Sequence, residues 1–132
     1  MKNVLYILLI CFGFSATAQK DSTSTTVETE KQIEVPIYKL FPTKNTWALI
    51  KLNTRNGKIS QVHYSLSSDN FDGELSINSY SLVSPEEEAN GRFTLYPTPN
   101  TYNFILLDQI DGKTWQVQWN NDDDKRFINR IY

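Results

Sequence analysis

The sequence predicts an all-β protein made of two tandem four-stranded antiparallel meander repeats. Three observations lead there. Tyr38 to Tyr64 (YKLFPTKNTWALIKLNTRNGKISQVHY) aligns without a gap on Phe93 to Trp119 (FTLYPTPNTYNFILLDQIDGKTWQVQW), offset by 55, with 11 of 27 positions identical, so one unit has been duplicated. Each copy is punctuated by a Pro-Thr-x-Asn turn (Pro42–Asn45, Pro97–Asn100) and by Asn56-Gly57 or Asp111-Gly112, a strong short hairpin signal. Between these turns lie short runs rich in β-branched and aromatic residues, with apolar side chains alternating at the two-residue period of a strand.

Taken in order, the first strand of the unit covers about 37–41 and ends at Pro42, which cannot donate to a ladder. The second is Thr46–Asn53, matching Thr101–Asp108, and it turns through the Gly-containing loop into the third, Lys58–Ser65 or Lys113–Asn120. A fourth strand follows at Phe71–Asn78 and at Phe127–Tyr132. Between the repeats, Ser84-Pro85-Glu86-Glu87 carries an N-cap Ser, Pro at N1 and early acidic residues, with Asn90-Gly91 closing a short helical turn. Repeat 1 therefore spans about 37–78 and repeat 2 about 92–132, within one domain at 35–132.

The alternation also predicts faces. In the second repeat Trp115, Val117 and Trp119 share one face of the third strand and Thr114, Gln116 and Gln118 the other. Applied to the first repeat, this sends Val62 and Tyr64 to the core and Gln61 and His63 outward. The second strand is apolar on both faces, with Trp47 and Leu49 (Tyr102 and Phe104) on one and Ile50 and Leu52 (Ile105 and Leu107) on the other. Such a strand is expected to be covered on both sides, by a second sheet, a second chain or a ligand.

Upstream of the repeats, Met1-Lys2-Asn3 is followed by the apolar run Val4–Phe14 and by Ser15-Ala16-Thr17-Ala18, the tripartite pattern of a secretory signal peptide at 1–18. The run is too short to span a bilayer, so export to the periplasm or beyond is expected, with no stable membrane insertion after cleavage. Ile10 before Cys11 does not fit a lipobox, which argues against a lipoprotein. Residues 19–34 (QKDSTSTTVETEKQIE) have no aromatic side chain and read as a flexible Ser/Thr-rich tail.

The 132 residues carry 13 basic and 15 acidic side chains, a balance that does not suggest a nucleic-acid partner. One His, one Cys and one Met leave no set of zinc, haem or disulfide ligands, so no metal and no cofactor is expected. His63 has Gln118 as its counterpart and reads as a surface histidine. Asp108 and Asp111 resemble an acid pair, but their counterparts are Asn53 and Asn56, so turn chemistry accounts for all four. Asp122-Asp123-Asp124 lacks the alternating spacing and the glycine of a calcium loop.

The run Ile105-Leu106-Leu107-Asp108-Gln109-Ile110-Asp111-Gly112-Lys113-Thr114-Trp115 resembles the strand–hairpin–strand of quinoprotein-type β-propeller blades, and Leu52–Lys58 repeats it with Asn53 for the Asp. The longer pattern, [FY]-P-T-x-N-T-[WY] followed by Gly-Lys-x-x-Gln-Val, is similar to that of small exported bacterial proteins of unassigned function. The resemblance implies blade-like units; the residues themselves are equally consistent with a pseudo-two-fold sandwich or barrel. A propeller needs more sheets than two. Two-blade chains that trimerise into six-bladed rings occur among sugar-binding lectins, so the blade likeness offers an oligomeric ring as the alternative to a sandwich or barrel.

No nucleophile or acid–base constellation survives comparison of the two repeats, so a non-enzymatic binding module is expected, with a protein partner or its own copies. A carbohydrate-binding module is the alternative, and a small extracytoplasmic hydrolase a weaker one. The ligand-contacting candidates are the repeated aromatics around the Pro-Thr-x-Asn turns, Phe41 and Tyr96 with Trp47 and Tyr102, and the repeated Gln61 and Gln116. Stacking aromatics beside amides are what a sugar face requires; core packing and cross-strand pairing would use the same residues.

Overall fold

In a computed structural model the described residues are 34–132. The signal segment expected at 1–18 and nearly all of the expected tail lie outside them. The chain folds as two four-stranded antiparallel sheets. Sheet 1 is formed in sequence order by β1 (Tyr38–Pro42), β2 (Ala48–Asn53), β3 (Ile59–His63) and β4 (Gly73–Asn78). Sheet 2 repeats the plan with β5 (Phe93–Pro97), β6 (Asn103–Asp108), β7 (Thr114–Gln118) and β8 (Phe127–Ile131). The helical turn between them is a 3₁₀ segment, Pro85–Glu87, and a second such turn, Asp123–Lys125, precedes β8. Both prolines expected to stop the first strand are its last residue. Each fourth strand is shorter than expected, β4 starting only at Gly73, where φ is +155° and the Phe71 ring closes over the glycine.

The two hairpins are built alike. Asn53 and Asp108 each accept the backbone N–H two residues on, at 3.0 Å in both cases, and Gly57 and Gly112 take the left-handed φ of +76° and +70° that reverses the chain. Neither sheet closes on itself or on the other through strand pairing; the sheets stack, β2 lying near β5 and β4 near β8.

The register identifies two faces in each sheet. Phe41, Ile50, Gln61 and Leu75 are paired across sheet 1, as Tyr96, Ile105, Gln116 and Asn129 are across sheet 2; this is the glutamine face. Leu49 with Val62, and Phe104 with Val117, define the opposite, valine face. The core joins unlike faces. Sheet 1 contributes its glutamine face, with Ala48, Ile50, Leu52, Ile59 and Gln61 all buried, whereas sheet 2 contributes its valine face, with Phe93, Leu95, Phe104, Leu106, Trp115, Val117 and Trp119. Equivalent residues of the repeats therefore lie on opposite sides of the contact. The sheets stack head to tail, not face to matching face as a two-fold axis would require.

This corrects the expected faces of the first repeat. Gln61 is fully buried and His63 half-buried, while Val62 is half-buried and Tyr64 is 43% exposed. The physical reason lies at the positions where the repeats differ. On the valine face, sheet 1 has Lys51 and Ser60 where sheet 2 has Leu106 and Trp115; on the glutamine face, sheet 2 has Asn103 and Thr114 where sheet 1 has Ala48 and Ile59. Each sheet covers its more apolar face. Trp115 and Trp119 are in the core, as the alternation indicates. The second strands, apolar on both sides, are covered by a sheet on one side only.

Candidate functional site

The sequence-derived candidates are divided between the sheet contact and exposed positions. The valine face of sheet 1 is open. Tyr38 and Leu40 are 59% and 57% exposed, although their counterparts Phe93 and Leu95 are 1% and 3% exposed in the core. Beside them, Lys51 and Glu74 form an ion pair at 2.5 Å, and Ser60 donates to the same carboxylate at 3.0 Å. The Lys51 hydrogen bond, with Ser60 assisting, holds the Glu74 carboxyl below its ordinary value. This pair is exposed, so it organises the surface more than it stabilises the fold.

The glutamine face of sheet 2 is also open. Tyr96 is 50% exposed and Ile105, Leu107 and Gln116 are half-buried, although Ile50, Leu52 and Gln61 at the equivalent positions are fully buried. Phe41, the counterpart of Tyr96, packs against the core. The paired candidates Phe41/Tyr96 and Gln61/Gln116 are thus split, one member inside the contact and the other on an open face.

Gln61 shows what the inner position does. Its Oε1 accepts the backbone N–H of Asn120 at 3.0 Å, tying sheet 1 to the end of β7. With that oxygen engaged, its amide nitrogen donates to Nε2 of His63 at 2.8 Å, so this ring nitrogen carries the lone pair. Burial, with the Arg126 charge adding to it, lowers the His63 pKa from 6.5. His63 is therefore neutral and half-buried beside the sheet contact, held by Gln61, and not a free surface histidine.

Trp47 and Tyr102 lie on the valine side of their sheets and keep equivalent partners. Trp47 meets Tyr64 edge-on at 5.5 Å, and Tyr102 meets Trp119 at 5.2 Å. Tyr64 donates its hydroxyl to the Thr46 carbonyl at 2.6 Å, as the Trp119 indole donates to Thr101 at 3.1 Å. The environments differ: Trp119 is buried beneath sheet 1, whereas Trp47 and Tyr64 border an open cleft of about 610 Å³ with His63, Leu66, Phe71 and Asn121. The six candidates do not converge on one pocket.

The charged cluster that sequence comparison passed over is centred on Arg92. Its Nε bonds both oxygens of the fully buried Asp108 at 3.1 Å, its Nη2 reaches Asp108 at 2.8 Å and Asp111 at 2.9 Å, and its Nη1 donates to the Glu87 carbonyl at 2.9 Å. Burial pushes the Asp108 carboxyl up, but Arg92 and the N–H groups of Ile110 and Asp111 outweigh it, so the net shift is downward. The Arg92 guanidinium is held above its ordinary value by the Asp108 hydrogen bond, which overcomes burial. The turn role expected of Asp108 holds, and it is joined by clamping of the linker. The signal was Arg92 itself, a charge directly before the apolar β5 where repeat 1 has Ile37.

In the acidic run, Asp122 pairs with Lys125 at 2.5 Å and Asp123 with Arg126. Among the described residues no group of three or more His, Cys, Asp or Glu side chains is placed to hold a metal, and no helix is long and apolar enough to cross a membrane. Compared with known proteins, the chain matches no family model, no curated protein and no solved structure.

Proposed function

We propose that the chain is an exported, non-enzymatic interaction module that binds protein through its two open sheet faces. The observation that carries this reading is the exposure of Tyr38 and Leu40 in sheet 1 and of Tyr96 in sheet 2, at positions whose counterparts pack in or on the core. Contiguous apolar surface with a polar margin is what a protein-binding face presents. The non-enzymatic part is supported by the engagement of the candidate carboxylates Asp108 and Asp111 with Arg92. Export rests on the signal pattern at 1–18.

Crosslinking in intact producing cells tests the reading, with wild type compared against the Leu40→Arg/Tyr96→Arg double variant. A defined adduct, to the chain itself or to another exported protein, should form with the wild type and disappear in the variant. Absence of any adduct, or one that survives both substitutions, refutes the reading.

The cleft beside Trp47 favours a second reading, carbohydrate binding. A half-exposed indole next to Tyr64, Ser65, Asn70 and His63 offers a stacking surface with hydrogen-bonding neighbours. Glycan-array binding that is lost in Trp47→Ala supports it; an array without signal sinks it.

A further inference from the structure

We infer that the two open faces are the separated halves of one interface, and that a second copy of this chain joins them head to tail. This rests on the interaction-module reading and names its partner. Within the chain, the glutamine face of sheet 1 already packs on the valine face of sheet 2. What remains open is the complementary pair, the valine face of sheet 1 and the glutamine face of sheet 2. A face of each kind on one molecule makes a heterologous interface, which another copy satisfies while exposing the same pair in turn.

The internal contact supplies the register. The Thr54 carbonyl accepts the Phe93 N–H at 2.8 Å, and Gln61 Oε1 accepts the Asn120 N–H at 3.0 Å. Advancing each donor and acceptor by one repeat pairs the Gln109 carbonyl of one copy with the Tyr38 N–H of the next, and the Gln116 amide oxygen with the Ser65 N–H. The chemistry of the faces agrees. Since β2 lies near β5 and β4 near β8, β6 of one copy falls over β1 of the next, setting Ile105 and Leu107 against Tyr38 and Leu40. At the other edge β8 meets β4, setting Asn129 against Glu74 and Ser76. At the β6–β1 edge apolar residues meet apolar ones, while on β8 Asn129 lies between Phe127 and Ile131. Residues 19–34 are no substitute occupant of the apolar half, because Val27 and Ile33 are their only large apolar side chains.

Light scattering on a sizing column tests this with two variants of the full exported chain. Leu40→Arg blocks the valine face of sheet 1, and Tyr96→Arg blocks the glutamine face of sheet 2. Both side chains are half-exposed or more in the single chain, so folding is retained, and a thermal melt verifies it. Tyr38→Arg and Ile131→Arg, at exposed positions of the same faces, serve as a second pair. Wild type should exceed the mass of one chain. Each variant alone should be a single chain, its association weakened by about a hundredfold or more, as an unpaired charge on an apolar contact requires. Mixing the two variants should restore a complex of two chains and nothing larger, since each supplies the face the other lacks. A wild type that remains a single chain at millimolar concentration overturns the inference, as does a variant that self-associates or a mixture that does not combine. If copies do not associate but the cellular adduct to another protein still depends on the same faces, only the head-to-tail inference fails. If neither contact depends on them, the interaction-module reading fails with it.

Discussion

Removing the guanidinium of Arg92 tests whether the Asp108 pair is as dehydrated as its geometry indicates. In Arg92→Met the side chain keeps most of its length, while Asp108, with a side chain 0% exposed, loses its counter-ion. Breaking a buried pair from one side costs about 3–5 kcal/mol, because the partner charge is left uncompensated. Asp108 retains the N–H groups of Ile110 at 3.0 Å and Asp111 at 3.2 Å, which places the expected loss near the lower end, roughly 3 kcal/mol. Urea unfolding at pH 7 reads it directly.

The pH dependence gives the sign. In the wild type the Asp108 pKa lies below 3.8, so its contribution is present above 3.8 and is lost as pH falls through the lower folded value. In Arg92→Met, burial without the guanidinium raises the same carboxyl, so acid neutralises it and relieves the penalty. The difference in stability between the two proteins should therefore be largest at neutral pH and shrink on acidification. Adding Asp108→Asn to Arg92→Met removes the orphaned charge and should recover about 1–2 kcal/mol at pH 7. A loss below about 1 kcal/mol, or a deficit that does not change with pH, would falsify the account of a dehydrated pair.

Two further outcomes follow from equivalent positions in the two repeats, and a third from His63. Gly57→Ala and Gly112→Ala both force Ala into the left-handed region, at roughly 1–2 kcal/mol each, but a Cβ on Gly57 would meet Leu82 Cδ1 at 2.6 Å whereas one on Gly112 meets nothing within 4 Å. Paired denaturation curves should show Gly57→Ala costing about 1 kcal/mol more, and equal losses would mean that Leu82 simply moves aside. Gln61→Leu orphans the Asn120 N–H and should cost about 1–3 kcal/mol in thermal unfolding, whereas Gln116→Leu should change single-chain stability by under about 0.5 kcal/mol; the reverse order would contradict the assignment of faces. The proton NMR titration of His63 should give a pKa below 6.5 that rises towards it in Arg126→Gln. Because the folded value is depressed, His63 contributes stability above pH 6.5 that is lost as pH falls through the folded value, and a titration at or above 6.5 would contradict its burial beside Gln61.

The duplicated segment determined much by itself. Repetition of Pro-Thr-x-Asn and of the Gly-containing hairpin loop defined the eight strands and their order within each sheet, because turn chemistry and two-residue alternation are local properties. The same locality explains the burial of Trp115, Val117 and Trp119 and the turn role of Asp108. What the averaged repeat could not supply was which face of each sheet is covered. Gln61 and Gln116 are identical in residue and register, yet one is sealed against Asn120 and the other lies on an open surface. Identical local sequence carries no information about what stacks on it; only the head-to-tail packing of the sheets decides that, and its trace in the sequence is confined to differences such as Lys51 against Leu106 and Ile59 against Thr114. The Arg92 clamp has the same origin, since it joins residues from the linker, the β5 entry and the β6–β7 hairpin that only the tertiary fold brings together. Local turns and alternation are written residue by residue, whereas coverage belongs to the relation between sheets, and so the positions where the two copies disagree record it better than those where they agree.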